Sequence, residues 1–218
     1  MTQPRPVFLE GGDRLAVDVR ELAFGLLLRD KRPVTPGRLA GLVGTDEDRV
    51  EATLEALARE GRIDRDAHGR VLGSAGLTLA AGPHTLEIDG HAFTTWCAFD
   101  ALGIPAALAV NARVETACAV CGRPITVDLR AGRPRGEASA RLWLSAGAAD
   151  MRADFCTPTV LLCSVEHVRV WAERQAGHGT SLTLDEATEE GARNWSSAAS
   201  TAAQLVEGTN AESMRAER

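Results

Sequence analysis

The chain has 218 residues, 44% hydrophobic and 25% charged, enough for one domain with a sizeable core and a small second module, and too apolar for a disordered chain. Thirty acidic against 24 basic residues give a net charge of −6, which argues against a phosphate-binding surface spread over the whole chain and makes nucleic acid a poor partner. No apolar run reaches the roughly 18 residues of a membrane span, and Met1-Thr2-Gln3-Pro4-Arg5 leads into no signal-peptide core, so the expectation is a cytoplasmic protein with reduced thiols and no membrane contact.

Residues 1–14 read as a loose leader. Leu15 to Leu28 has the spacing of an amphipathic helix, with Val19, Leu22 and Leu26 on one face. Thr35-Pro36 predicts an N-cap and first helical position for a short helix that Gly44 ends. Thr45 is expected to cap the next helix, with Asp46, Glu47 and Asp48 in its first turn and Val50, Leu54 and Leu57 as its apolar stripe. Ile63 to Val71, turning at His68-Gly69, predicts a hairpin. Helix, turn, helix, hairpin is a winged-helix arrangement, which makes residues 15–75 one module.

Leu77 to Leu79 and His84 to Ile88 read as short strands, with Asp89-Gly90 as a turn. Thr94 to Ala109 is expected to hold a helix interrupted at Gly103 and Pro105. Ala112 to Ala117, Ile125 to Leu129 and Ala138 to Leu144 alternate like strands, and Thr159 to Cys163 reads as an apolar, central one. Ser164 caps a helix with Val165, Val168 and Trp171 on one face, and Gly177 ends it. Ser181 to Leu184 is a last strand and Asp185 to Trp195 a last helix. Residues 196–218 are rich in Ser, Ala, Thr and Glu and read as a flexible tail. The fold class is α+β: an N-terminal helical, winged-helix-like module packed on a mostly antiparallel sheet core with flanking helices.

The chemistry is concentrated in five cysteines: Cys97, Cys118, Cys121, Cys156 and Cys163. In Trp96-Cys97-Ala98-Phe99-Asp100 a helix would place the thiol and the carboxylate three residues apart on one face, with Cβ atoms about 5–6 Å apart. Such a carboxylate could take or hold a thiol proton; a buried cysteine beside a capping aspartate has the same spacing and is the commoner outcome. In Asp154-Phe155-Cys156-Thr157-Pro158 the proline keeps Thr157 from the helical region, so Cys156 sits on a kink, either in a site at the end of a sheet or as a packed small hydrophobe. Cys118-Ala119-Val120-Cys121-Gly122 is half a zinc knuckle, two ligands short of the usual four. Cys156 or Cys163 with His167 would complete it only through a coincidence of the fold, so little bound zinc is expected, with Cys118 buried and both thiols apart from Cys97 and Cys156. There is no HExxH, Walker or Gly-x-Ser-x-Gly motif, and no Gly-x-Gly-x-x-Gly after a strand.

From Trp96-Cys97-Ala98-Phe99-Asp100 through Leu102 to Pro105-Ala106 the sequence resembles the organomercurial (alkylmercury) lyases, whose corresponding segment reads W-C-A-x-D-x-L-x-x-P-A. Arg113-Val114 with Cys118 and Gly122-Arg123-Pro124-Ile125, Asp154-Phe155-Cys156 with Ser164 and Trp171, and Leu182 to Ala187 extend the likeness, as does the pattern at residues 35–72. Together they cover about residues 15–195, with 76–195 as the catalytic core. The resemblance implies that Cys97 and Cys156 are the mercury-binding thiols, that Asp100 shuttles the proton and that Cys118 is a buried structural cysteine. It implies protonolysis of a carbon–mercury bond to a hydrocarbon and Hg(II), no organic cofactor, a thiol reductant for product release, and mercuric reductase or small thiols as Hg(II) acceptor. Cys121 and Cys163 fall outside the family's catalytic set.

The competing reading is a winged-helix DNA-binding regulator with a thiol metal sensor. Thr45 to Arg62 argues against it, because six acids (Asp46, Glu47, Asp48, Glu51, Glu55, Glu60) outnumber three bases there and phosphates would repel such a recognition helix.

Overall fold

The structure is a computed structural model that describes residues 13–136, 139–147 and 149–216, with side chains as far as residue 207. The expected leader lies outside the described residues except for Asp13, which caps the first helix through a bond from the Ala16 N–H, and Arg14, which opens that helix. Helix α1 (Arg14–Asp30) ends in a left-handed Lys31. Helix α2 (Pro36–Val43) has Thr35 as N-cap and a left-handed Gly44 at its end. Helix α3 (Glu47–Arg59) starts one residue later than the sequence suggests: Asp46, not Thr45, accepts the Arg49 N–H at 2.8 Å. An aspartate carboxylate is as good a cap as a hydroxyl, and its charge suits the positive end of the helix dipole.

Strands β1 (Ile63–Arg65), β2 (Val71–Ser74), β3 (Leu77–Thr78), β4 (His84–Ile88), β5 (His91–Thr95), β6 (Ala112–Ala117), β7 (Pro124–Arg130) and β8 (Arg133–Arg135) form one antiparallel sheet in the order β1-β2-β3-β5-β4-β6-β7-β8. The first hairpin therefore runs directly into the large sheet. Strand β8 had no alternating pattern to announce it. A second antiparallel sheet has β9 (Arg141–Ser145) in the middle, between β10 (Val160–Leu162) and β11 (Gly179–Leu182). The apolar strand expected to be central, β10, is thus an edge strand, its free side covered by other elements rather than by a strand.

Helix α4 (Ala98–Leu108) is buried along Ala98–Pro105 and touches β4, β5 and β6 of one sheet and β9 and β10 of the other. The stretch from Thr94 to Ala109 holds the expected helix, but the expected interruption at Gly103 and Pro105 is corrected. Thr94 and Thr95 belong to β5, and α4 is continuous. Gly103 is there for packing: it meets Gly191 of helix α6 (Leu184–Asn194), and a Cβ on it would strike the Trp195 ring. Pro105 costs the helix one hydrogen bond near its end.

Cys156 closes a π-helical turn, Met151–Cys156, capped by the Asp150 carboxylate. Helix α5 (Val165–Arg174) has Ser164 as its cap, but of the expected apolar face Val168 is buried while Val165 is 43% exposed. The last helix, α7 (Ser196–Ala216), replaces the expected flexible tail. Its Ala198 and Ala202 are buried, Ala202 lies against Gly25 of α1, and the Thr201 hydroxyl donates to Glu21 at 2.9 Å. Small residues on both helices allow this close approach, which a composition-based reading of a Ser/Ala-rich segment does not reveal.

Candidate active site

The chain turns out of β5 into α4 at Trp96-Cys97. Cys97 is the N-cap of α4, with φ −148° and ψ 173°, rather than a residue inside the helix. Asp100 is the third helical residue and accepts the Cys97 backbone N–H through Oδ2 at 2.8 Å. The Asp100 N–H points back at the Cys97 sulfur, so the two residues form a capping box built from a thiol and a carboxylate. The spacing that suggested one helical face therefore gives something tighter, with thiol and acid fixed to each other by two backbone groups. The Thr95 hydroxyl donates to the Cys97 carbonyl at 2.9 Å and the Ala98 N–H to the Thr159 carbonyl at 3.3 Å, which anchors the turn from both sides.

Cys156 arrives from the π-helical turn. The sulfurs of Cys97 and Cys156 and a carboxylate oxygen of Asp100 all lie within 4.8 Å of one another, and all three residues are buried. Burial drives the Asp100 carboxyl up to about 6 from its ordinary 3.8, against the pull of its Cys97 hydrogen bonds and of the Arg152 charge. Burial, followed by the Cys156 hydrogen bond and the Asp100 charge, holds the Cys97 thiol well above its usual value. At neutral pH the resting arrangement is a neutral Cys97 thiol against an ionised carboxylate.

A narrow cleft opens onto this group, lined among others by Arg20, Arg62, Gly76, Trp96, Met151 and Trp195. Gly76, at φ +90°, makes room for the acid: a Cβ there would stand 2.6 Å from Asp100 Cγ. Trp195 is buried, donates its indole N–H to the Ala75 carbonyl at 2.7 Å and meets Phe99 edge-on. Arg20 is 1% exposed, and burial with the neighbouring Arg62 lowers it to about 10, still protonated at neutral pH. Arg152 stacks on the Trp96 ring at 3.4 Å. It donates to the Gly61 carbonyl and to Asp64, each at 2.6 Å, while Asp64 also accepts the Trp96 indole N–H at 2.7 Å. No local motif points to Arg20, Gly76, Asp64 or Arg152, because each meets the site only through the fold.

The profile of the alkylmercury lyase family matches residues 77–196. The chain is 31% identical over 163 residues to the alkylmercury lyase of Pseudomonas putida, covering 73% of this chain and 72% of that one. It belongs to the alkylmercury lyase family. The alkylmercury lyase of Streptomyces lividans is 32% identical over 151 residues, covering 67% and 68% of the two chains. That of Bacillus cereus is 27% identical over 186 residues, covering 84% and 82%. In fold the chain is similar to the mercury-bound form of MerB2, with a TM-score of 0.77, 24% identity, and 88% of this chain and 95% of that one covered.

This alkylmercury lyase family member carries a second sulfur group. Cys118, Cys121, Cys163 and His167 bring their ligand atoms within 4.8 Å of one another. Cys118 is buried and Cys121 exposed, and neither belongs to the Cys97 group. The expectation that the Cys118–Cys121 pair is left two ligands short is overturned. Cys163 directly follows β10 and His167 lies in the first turn of α5, and together they face the pair. The signal in the sequence was the Cys163-x-x-x-His167 spacing at a capped helix start.

Proposed function

We propose that this protein cleaves the carbon–mercury bond of organomercurials, releasing a hydrocarbon and retaining Hg(II) on Cys97 and Cys156. The observation that carries the reading is the burial, within 4.8 Å, of two thiols and a carboxylate in a chain of this family. Mercury is a soft metal and thiolates are soft ligands. An organomercurial delivered as R–Hg–SR′ exchanges onto one of the two thiols, whose proton leaves with R′SH. The second thiol gives its proton to the Asp100 carboxylate, and its sulfur joins mercury. Two sulfurs raise the electron density on the metal and weaken its bond to carbon. Protonated Asp100 then delivers the proton to that carbon. R–H leaves, Asp100 is again a carboxylate, and Hg(II) remains on two thiolates. Two thiol protons have gone in, one to carbon and one to R′S.

The scheme uses no organic cofactor. Hg(II) passes to small thiols or to mercuric reductase, and a thiol reductant completes turnover. No described helix is long and apolar enough to cross a membrane, and reduced thiols suit the cytoplasm. We read α2, α3 and the first hairpin as a winged-helix-like module that serves as a platform for the site. Exposed Asp46, Glu47, Asp48 and Glu55 on and around α3 disfavour a DNA-binding role. The test is incubation of reduced, folded protein with phenylmercury or methylmercury and excess thiol, following benzene or methane. Absence of hydrocarbon from every organomercurial tried refutes the proposal.

A further inference from the structure

The second sulfur group is distinct from the candidate active site and takes no part in the scheme above. We propose that Cys118, Cys121, Cys163 and His167 form a closed, four-coordinate Zn²⁺ site with a structural role.

The geometry matches the ion. A tetrahedral zinc with Zn–S of about 2.3 Å and Zn–N of about 2.0–2.1 Å has S···S edges of about 3.8 Å and S···N edges of about 3.5–3.6 Å. Cys121 and Cys163 sulfurs are 3.8 Å apart, and the Cys118 sulfur is 3.5 Å from His167 Nδ1. The Cys163 sulfur is closer to the same nitrogen, at 3.1 Å. Small outward movements of one side chain regularise that edge.

The backbone prepares the site on both sides. The first half is a knuckle after β6, in which Gly122, at φ +72°, returns its N–H to the Cys118 carbonyl at 2.8 Å and the Cys118 N–H bonds the Arg123 carbonyl at 2.8 Å. Backbone N–H groups of Val120, Cys121 and Cys163 point at the Cys118 sulfur, the support a metal-bound thiolate receives from its outer shell. The second half is Cys163, just before the Ser164 cap, and His167, whose N–H bonds the Ser164 hydroxyl at 3.4 Å. The Ala119 N–H bonds the Leu161 carbonyl at 3.3 Å and so holds the two halves together.

Three sulfurs and one imidazole nitrogen are the donor set of structural zinc, and they leave no open position for substrate. Hg(II), which favours two sulfurs in line, has no need of the other two donors. Loading Zn²⁺ releases the three thiol protons to solvent and leaves His167 neutral, bound through Nδ1, with no change of oxidation state. The ion ties the β6–β7 hairpin to the start of α5, and through β10 to the segment that follows Cys156. Cys121 is exposed, so the ion has a route in.

The full chain, purified under reductant without added metal, is expected to contain one zinc per chain by elemental analysis. Exchange with Co²⁺ should produce the visible ligand-field bands of a tetrahedral centre and a sulfur-to-cobalt charge-transfer band. Cys97→Ser and Cys156→Ser should keep the ion and the bands. Cys163→Ser and His167→Gln should lose or alter them, and Cys121→Ser, whose residue is exposed on a turn, should do so with the fold retained by circular dichroism. Protein that takes up neither zinc nor cobalt overturns the proposal. So do bands that vanish in Cys97→Ser or Cys156→Ser but survive in Cys121→Ser, and a cluster that takes up Hg(II) but neither of the other ions.

Discussion

Gly76 lies against the carboxyl of Asp100, so close that a single methyl on its α-carbon would stand 2.6 Å from Cγ. The same glycine has φ +90°, a conformation that side chains resist. Gly76→Ala is therefore expected to displace Asp100 from Cys97 as well as strain the turn. Hydrocarbon release should fall at least about tenfold, since small misplacements of a reacting group are costly. Activity equal to the parent, with intact folding, would show that the acid does not need this seat.

Asp100→Asn keeps an oxygen that can accept the Cys97 N–H but cannot carry the proton. Turnover should drop by about 10²–10⁴-fold while mercury still binds. Mercury retention by elemental analysis beside hydrocarbon yield separates the two. The parent's kcat/KM should rise with pH through about 6, as Asp100 ionises to accept the thiol proton, and the variant should lack that limb.

The same carboxyl links pH to stability. Its pKa in the folded chain is raised from 3.8 to about 6, so the neutral acid is favoured by folding. That contribution is complete below about pH 4 and is lost as pH rises through about 6, about 3 kcal/mol in all. Urea unfolding at pH 4 to 7 should show Asp100→Asn gaining on the parent by that order across the window. Parallel stability curves would contradict the burial argument.

Arg152 lowers the Asp100 carboxyl by its charge. Arg152→Gln should therefore move the acid limb of the kcat/KM profile to higher pH. An unmoved limb would mean that solvent screens the guanidinium from the acid.

Gly191→Ala would drive a methyl into the Gly103 backbone where α6 crosses α4. Overpacking of this kind costs about 1–3 kcal/mol, and the upper end is expected because the obstacle is main chain. Thermal or urea unfolding measures it, and a change within about 0.5 kcal/mol would show that the helices can separate freely.

Local signals in the sequence found most elements. The Thr35-Pro36 cap, the Asp89-Gly90 turn and the alternation of Ala112 to Ala117 lie where the chain decides structure by itself. Cys97, Asp100 and Cys156 stand out from short motifs and a family resemblance, but the three-residue spacing, read as a shared helical face, does not by itself reveal that Cys97 caps α4. The π-helical turn was missed, because Pro158 suggested a kink and gave no hint of the wider turn before it. Continuous α4 and the docked α7 depend on glycine contacts with distant helices, Gly103 with Gly191 and Gly25 with Ala202, which no local window contains. The meeting of Cys118 with His167 joins positions 49 apart and belongs wholly to tertiary structure.

Arg152 belongs to the turn that delivers Cys156, yet its guanidinium is held by Gly61 and Asp64, before the stretch that the family profile matches. Two consequences follow for anyone trimming or grafting this protein. A fragment starting at residue 77 would leave Arg152 without those acceptors and remove Gly76 and Arg20 from the cleft wall. A hybrid that exchanges the first 75 residues for those of a relative must supply a carbonyl and a carboxylate at the same two places, together with counterparts of Arg20 in the cleft and of Gly25 and Glu21 against the last helix.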